Sequence, residues 1–202
     1  MILTDKQIRQ LSLSNTQENT QLIYPFSEDA LQSESYDLSI DNKIAILKKE
    51  IRCIELDNQQ MIDNMYEERT LLPNGYIVSP KEYILVYLKE KITLPDTLTA
   101  HIRPRTKFTR MGLLISDQHC NSTYSGYLKI GLFNATDYAI RVIPDLKIAQ
   151  IVFEELKSRP SNEKLYKNKK DASYQNEIEF RGAKFSNELI DKGINILLGR
   201  EE

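Results

Sequence analysis

Ala100-His-Ile-Arg-Pro-Arg-Thr-Lys-Phe-Thr-Arg110-Met-Gly-Leu-Leu-Ile115 is the stretch on which the reading of this chain turns. Apolar ends flank a cationic middle, in which Arg103, Arg105, Lys107 and Arg110 stand among two threonine hydroxyls. Arginine grips phosphate well, because its planar fork donates two parallel hydrogen bonds and stays charged at any working pH. A short helical turn beginning near Thr106 would aim backbone N–H groups, a hydroxyl and a cation at one anion. The same residues also fit a solvated basic turn on a strand edge, which is what most charge runs are.

The surroundings of this turn decide the fold class. Downstream lie Leu113-Leu-Ile115, Tyr127-Leu-Lys-Ile-Gly-Leu-Phe133, Ala139-Ile-Arg-Val-Ile143 and Ile148-Ala-Gln-Ile-Val-Phe153, separated by polar turns. Upstream lie Tyr76-Ile-Val78, Tyr83-Ile-Leu-Val-Tyr-Leu88 and Leu98-Thr-Ala-His-Ile102, with turn signals at Pro73-Asn-Gly75 and Leu94-Pro-Asp96. Short β-branched and aromatic runs at this spacing make an all-β sandwich or barrel. Ser35-Tyr-Asp-Leu-Ser-Ile40 alternates with period two and reads as a half-buried strand. Ile44, Ile46, Ile51 and Ile54 suggest strands interrupted at Lys48-Lys-Glu50, and Asn58 to Arg69 fits a helix or an excursion loop. Thr4-Asp-Lys-Gln7 is a capping box that starts a helix to about Leu11, and Ser27-Glu-Asp-Ala30 starts another helical turn. Beyond Glu155 the chain turns polar and basic, and Ser158 to Lys170 reads as a mobile tail. Ser186 opens a predicted terminal helix to about Leu198. The expected organisation is a β core with its N-terminal helix over 1–157 and a C-terminal tail over 158–202.

Composition narrows the function classes. A chain of 202 residues supports one good core, and a formal charge of -2 offers no global attraction to nucleic acid or an anionic membrane. Any anion site must be local. No apolar run approaches a membrane span, and Met1-Ile-Leu-Thr-Asp-Lys6 lacks the pattern of an export signal. Cys53 and Cys120 make no disulfide framework, so a cytoplasmic location is expected. His119-Cys120 is not a nucleophilic dyad if both lie on one strand, because neighbours there point to opposite faces. His101, His119, Cys53 and Cys120 lack zinc-ligand spacing.

Several of these segments, in this order, resemble the dCTP deaminase branch of the dUTPase superfamily. The opening Met-Ile-Leu-Thr-Asp-Lys-Gln-Ile8, Ser35-Tyr-Asp-Leu38, Ile92-Thr-Leu-Pro-Asp96 and Arg105-Thr-Lys-Phe-Thr-Arg-Met-Gly-Leu113 carry the likeness. So do Tyr124-Ser-Gly126 through Asn134, Ile140 to Phe153, and in the tail Tyr166, Asp171-Ala172, Tyr174, Asn176, Gly182-Ala183 and Ser186. The resemblance implies a distorted β-barrel or jelly roll, assembled as a homotrimer with nucleotide sites at subunit interfaces. It further implies a deoxynucleoside triphosphate such as dCTP or dUTP, carrying Mg²⁺, with the tail closing over it. On this likeness Arg105 and Arg110 contact phosphate or order the site, Thr106 keeps a motif hydroxyl, and Lys107 replaces a serine with a charge. Tyr124 lies near the nucleotide, and Tyr166 and Tyr174 touch phosphate or stack on the nucleoside.

The departures from the pattern fall where the chemistry is expected. The glutamate that shuttles protons during deamination is replaced by Gly131, and the aspartate that dUTPases use to activate water is replaced by Asn121. Asparagine can hydrogen-bond a hydroxyl but cannot act as the base. Ser173 stands for a lysine and Glu177 for a glutamine. Asp117 is the nearest candidate for a displaced base. Three expectations follow: a nucleotide-binding protein without catalysis, an active deaminase or diphosphatase using Asp117, or a scaffold for a protein partner with a vestigial site.

Overall fold

The computed structural model describes residues 1–14 and 20–185. In chain order these form α1 (Asp5–Leu13), β1 (Ile23–Tyr24), β2 (Tyr36–Leu47), α2 (Gln59–Asp63), β3 (Tyr66–Thr70), β4 (Tyr76–Val78) and β5 (Tyr83–Thr93). There follow β6 (Leu98–Pro104), α3 (Thr106–Arg110), β7 (Leu113–Ile115), β8 (Gln118–Cys120), β9 (Ser125–Asn134), β10 (Ile140–Val142) and β11 (Lys147–Glu155). The all-β class is correct. The capping box forms as read, with the Thr4 N–H donating to Gln7 Oε1 at 3.0 Å, and buried Leu3 and Ile8 dock α1 on the core.

One antiparallel sheet carries most of the strands, in the order β7-β9-β5-β2-β11-β6-β8, with β1 added on β5 and β3 on β2. β4 and β10 make a separate pair. β2 is the strand on which the sheet bends. Its first part, Tyr36 to Ser39, pairs with β11, whereas Ile40 to Ile46 pairs with β5. Register shifts between Ile40 and Ile44 on β2, Tyr87 and Lys91 on β5, and Lys147 and Ala149 on β11 break the ladder where the sheet curls. Inside the curl Ile40, Ile84, Ile102, Ile130, Ile151 and Phe153 are fully buried. Each contributes roughly 1.5–3 kcal/mol relative to exposure. The Pro73-Asn-Gly75 turn holds at Gly75, whose φ of +84° suits glycine and whose missing Cβ leaves room for the Val142 carbonyl.

Three expectations change. Ile51 and Ile54 form no strand. The segment from Asn58 splits into α2 and the strand β3, which pairs with Lys43–Leu47. β3 shows no apolar alternation because it lies on the outer side, with four of its five residues exposed. The tail packs through residue 185 instead of lying loose: it makes 3-10 turns at Asn162–Lys164 and Tyr166–Asn168 and a parallel bridge from Glu177 to Gly126. The helix predicted from Ser186 lies outside the described residues. No described helix is long and apolar enough to cross a membrane. Cys53 is exposed, Cys120 is buried, and both are free.

Glu90 faces inward at the break in β5 and is 5% exposed. Its Oε2 accepts the Ser39 N–H at 2.9 Å. Burial pushes its carboxyl from an ordinary 4.5 up to about 7. The unfolded chain releases this proton near 4.5 and the folded chain holds it to about 7, so the proton-linked stability is full below 4.5 and lost as pH rises towards 7. Glu90→Gln, which keeps an acceptor for Ser39, should remove this decline. Urea unfolding at pH 7.5 should show the variant more stable by on the order of 2 kcal/mol, with little difference at pH 4.5; equal pH slopes would rule the account out.

Candidate functional site

The cationic turn is α3, and its geometry divides the basic residues into two roles. Arg105, at the N-cap, points back to the sheet: its guanidinium lies 3.1 Å from Asp37 Oδ2 and donates to the Lys147 carbonyl at 3.2 Å. Asp37 is 2% exposed, and burial raises its carboxyl despite the opposing pull of Arg105. Phe108 is buried and pins the turn from below. Thr106, Lys107 and Arg110 face outward and are exposed. Among the described residues none of these three side chains makes an ion pair or hydrogen bond, although the Lys107 ammonium rests 5.1 Å from the Phe108 ring centre. Arg105 therefore orders the turn, while the other three are available to an anion.

A second feature lies apart from the turn. A cleft of about 450 Å³ opens over β5 and β9, walled by Tyr66, Tyr83, Tyr124, Tyr174 and Phe180 and polar at Gln118, His119, Lys129, Glu177 and Arg181. None of Arg105, Thr106, Lys107 or Arg110 lines it. The tail closes one side: the Asn176 N–H donates to the Ser125 carbonyl at 2.7 Å and the Tyr127 N–H to the Glu177 carbonyl at 3.2 Å. Lys129 and Glu177 form an ion pair at 3.0 Å, their side chains 6% and 5% exposed. Burial lowers the Lys129 ammonium, and the bond to Glu177 opposes that shift. The Arg181 N–H gives Glu177 a further hydrogen bond at 3.0 Å.

Of the residues singled out from sequence, Tyr124, Tyr174 and Glu177 meet at this cleft, and Tyr166 packs against Tyr124 with ring centres 5.9 Å apart and planes inclined by 54°. Glu177 is the single carboxylate among the lining residues. Asp117 lies outside, 57% exposed and paired with Arg103 at 3.1 Å. Asn121 is exposed at the turn before Tyr124, whose N–H donates to the Asn121 carbonyl at 3.1 Å. Cys120 is buried and its thiol pushed up to about 12, while His119 is exposed, so the two point apart as strand neighbours should. Gly131 lies beneath the Tyr83 ring: a Cβ there would fall 2.3 Å from the Tyr83 hydroxyl and 2.7 Å from ring carbons. Sequence reasoning missed Tyr83 and Lys129; a lysine inside the apolar alternation of β9 was the available signal.

A family profile described as dCTP deaminase-like matches residues 2–156. The chain belongs to this family. Among its relatives, a dUMP-forming dCTP deaminase of Sulfurihydrogenibium sp. (strain YO3AOP1) is 30% identical over 193 residues, covering 95% of this chain and 99% of that one. The dUMP-forming dCTP deaminase of Persephonella marina is 29% identical over 163 residues, covering 80% and 88%. The solved 2'-deoxycytidine 5'-triphosphate deaminase of Agrobacterium tumefaciens has a TM-score of 0.60 at 20% identity, over 75% of this chain and 46% of that longer one, and shares the fold.

Within the family fold, the Tyr83 ring sits diagonally across the ladder from Gly131, whose direct partner is Leu85. Because the ring fills the space of a side chain at 131, Gly131→Ala should cost about 1–3 kcal/mol through overpacking. Combining it with Tyr83→Ala should recover part of that cost. A denaturation cycle over the four proteins measures the coupling, and strict additivity would show that Tyr83 does not occupy the space.

Proposed function

We propose that this protein binds a pyrimidine deoxynucleoside triphosphate, dCTP or dUTP, in a cytoplasmic homotrimer, and that it has lost deamination. The observation that carries the reading is a contrast. The outward residues of the cationic turn, Thr106, Lys107 and Arg110, stand ready for phosphate, while position 131 holds a glycine roofed by Tyr83 in place of a carboxylate. The turn and the aromatic cleft lie apart in one chain, which fits a site completed by a neighbouring subunit. The cleft is walled by rings on which a base can stack, and Tyr124 and Tyr174 are among them.

Mg²⁺ fits here as a passenger on the triphosphate. Among the described residues no group of three or more His, Cys, Asp or Glu is arranged to hold a metal ion, and the turn offers cations and a hydroxyl, which suit phosphate oxygens and not the ion. Carried on the nucleotide, Mg²⁺ would supply neutralisation of the triphosphate charge. Lys107, Arg110 and the Thr106 hydroxyl would hold phosphate oxygens of that nucleotide.

A second reading, an active deaminase or diphosphatase with a displaced carboxylate, draws on one observation: Glu177 reaches the cleft. Its carboxylate is committed to Lys129 and to the Arg181 N–H, and Asp117 is committed to Arg103. Neither is placed as a free base.

The first experiment is incubation with Mg²⁺ and a mixture of dCTP and dUTP, with products separated by ion exchange, beside a titration of each nucleotide. Binding without turnover is the expected result. Enzyme-dependent formation of dUTP, dUMP or pyrophosphate would overturn the loss of catalysis and make Glu177→Gln and Asp117→Asn the next variants. Arg110→Ala should weaken triphosphate binding by at least about 1.5 kcal/mol, roughly tenfold, as for a hydrogen bond to a charged group. An unchanged Kd would remove the phosphate role. Arg105→Ala is a poor probe, because it strands the buried Asp37.

A further inference from the structure

We propose that His101 and His119 together form an exchangeable binding site for a divalent late first-row transition ion, of which Zn²⁺ is the model case. These are the two histidines of the chain. They lie 18 positions apart in sequence but directly opposite each other on β6 and β8, as Cα partners in the antiparallel ladder. Direct cross-strand partners share a face of the sheet, with Cβ atoms about 4.5–5.5 Å apart. Their ring centres are 5.0 Å apart and the planes are inclined by 50°. With Zn–N bonds of about 2.0–2.1 Å and a tetrahedral angle, two imidazoles on one ion have ring centres about 5 Å apart. The observed spacing matches that of two ligands of one ion once each ring turns a nitrogen towards it, and the strand pairing needs no change for that.

The surroundings favour a loosely held ion. His119 is exposed and also lines the cleft, so open coordination positions face solvent and take water. Neither imidazole hydrogen-bonds to another described side chain or carbonyl, so both rings can turn a nitrogen towards an ion. For the same reason no carboxylate or carbonyl fixes the tautomers, the support that tight sites have. Two residues along β6 from His101, Arg103 is paired with Asp117 at 3.1 Å, which neutralises that cation. Imidazole nitrogen suits zinc, copper and nickel, whereas magnesium prefers oxygen. This site is therefore separate from Mg²⁺ carried on a nucleotide, and the inference does not rest on nucleotide binding.

Cys53 is an exposed free thiol that would bind the same ions, so the test uses the otherwise intact chain carrying Cys53→Ser. Zn²⁺ alone is titrated by calorimetry and by proton NMR of the two imidazole C2–H signals. The expected result is saturable binding of one ion per chain, with both signals moving together. His119→Gln, at an exposed position that leaves folding intact, should weaken binding at least tenfold, and His101→Gln should do the same. No saturable binding, movement of one signal alone, binding that survives either single substitution, or binding that disappears with Cys53→Ser would each overturn the proposal.

Discussion

Asp37 is the point through which the sheet and the cationic turn are held to one another. It lies on the part of β2 that pairs with β11, is almost fully buried, and meets Arg105 as the chain leaves β6 for α3. The pair is not a large source of stability, since burial raises the Asp37 carboxyl even with the guanidinium beside it. Desolvation outweighs attraction there, as it commonly does for buried pairs. What the pair supplies is position. Removing either partner would leave the other uncompensated and cost about 3–5 kcal/mol, towards the lower figure here because a quarter of the Arg105 side chain remains in solvent. With Arg105 turned inward, the outward presentation of Thr106, Lys107 and Arg110 follows, because a five-residue turn pinned by Phe108 has no other face to offer.

The same strand accounts for the curl and for its buried acid. β2 changes partner at Ile40, from β11 to β5. Such a change leaves backbone groups without ladder partners, and a buried N–H without an acceptor is costly. Glu90 meets one of them by accepting from Ser39. A carboxyl used in this way does not need its charge, which is consistent with a proton held to about 7.

Much of this was legible in the sequence, and the physical reason for each failure is specific. Alternation exposed β5, β9 and β11 because each buries one face, and the capping box exposed α1 because its signal is local. β3 was invisible because only Tyr66 of its five residues is partly buried and its ladder comes from β2. The candidate site was half legible. Arg105, Arg110, Tyr124, Tyr174 and Glu177 could be picked out by type and motif, but the inward turn of Arg105 depends on Asp37, 68 positions earlier in the sequence. Tyr83 over Gly131, and Lys129 against Glu177, likewise follow from strand register and the path of the tail. No local pattern encodes either of those. The cysteine–histidine neighbours were read correctly because the two-residue period of a strand is a local rule.

The placement of Glu177 alters what a negative charge in the tail means. Facing a triphosphate, a free glutamate would be repulsive. Here its charge is met by Lys129 at 3.0 Å and by a backbone N–H, so little negative field is left to oppose phosphate. The lysine is balanced in turn, with its ammonium 5.1 Å from the Tyr87 ring centre, close enough for a cation–π attraction. Lifting the tail would leave Lys129 without its carboxylate partner among apolar strand neighbours. An ion pair this well enclosed therefore holds the tail against β9. Lys184 with Asp63 at 2.6 Å and Phe180 against Tyr66 extend that closure onto α2 and β3. The excursion between β2 and β4 is in this way the abutment against which the tail is held.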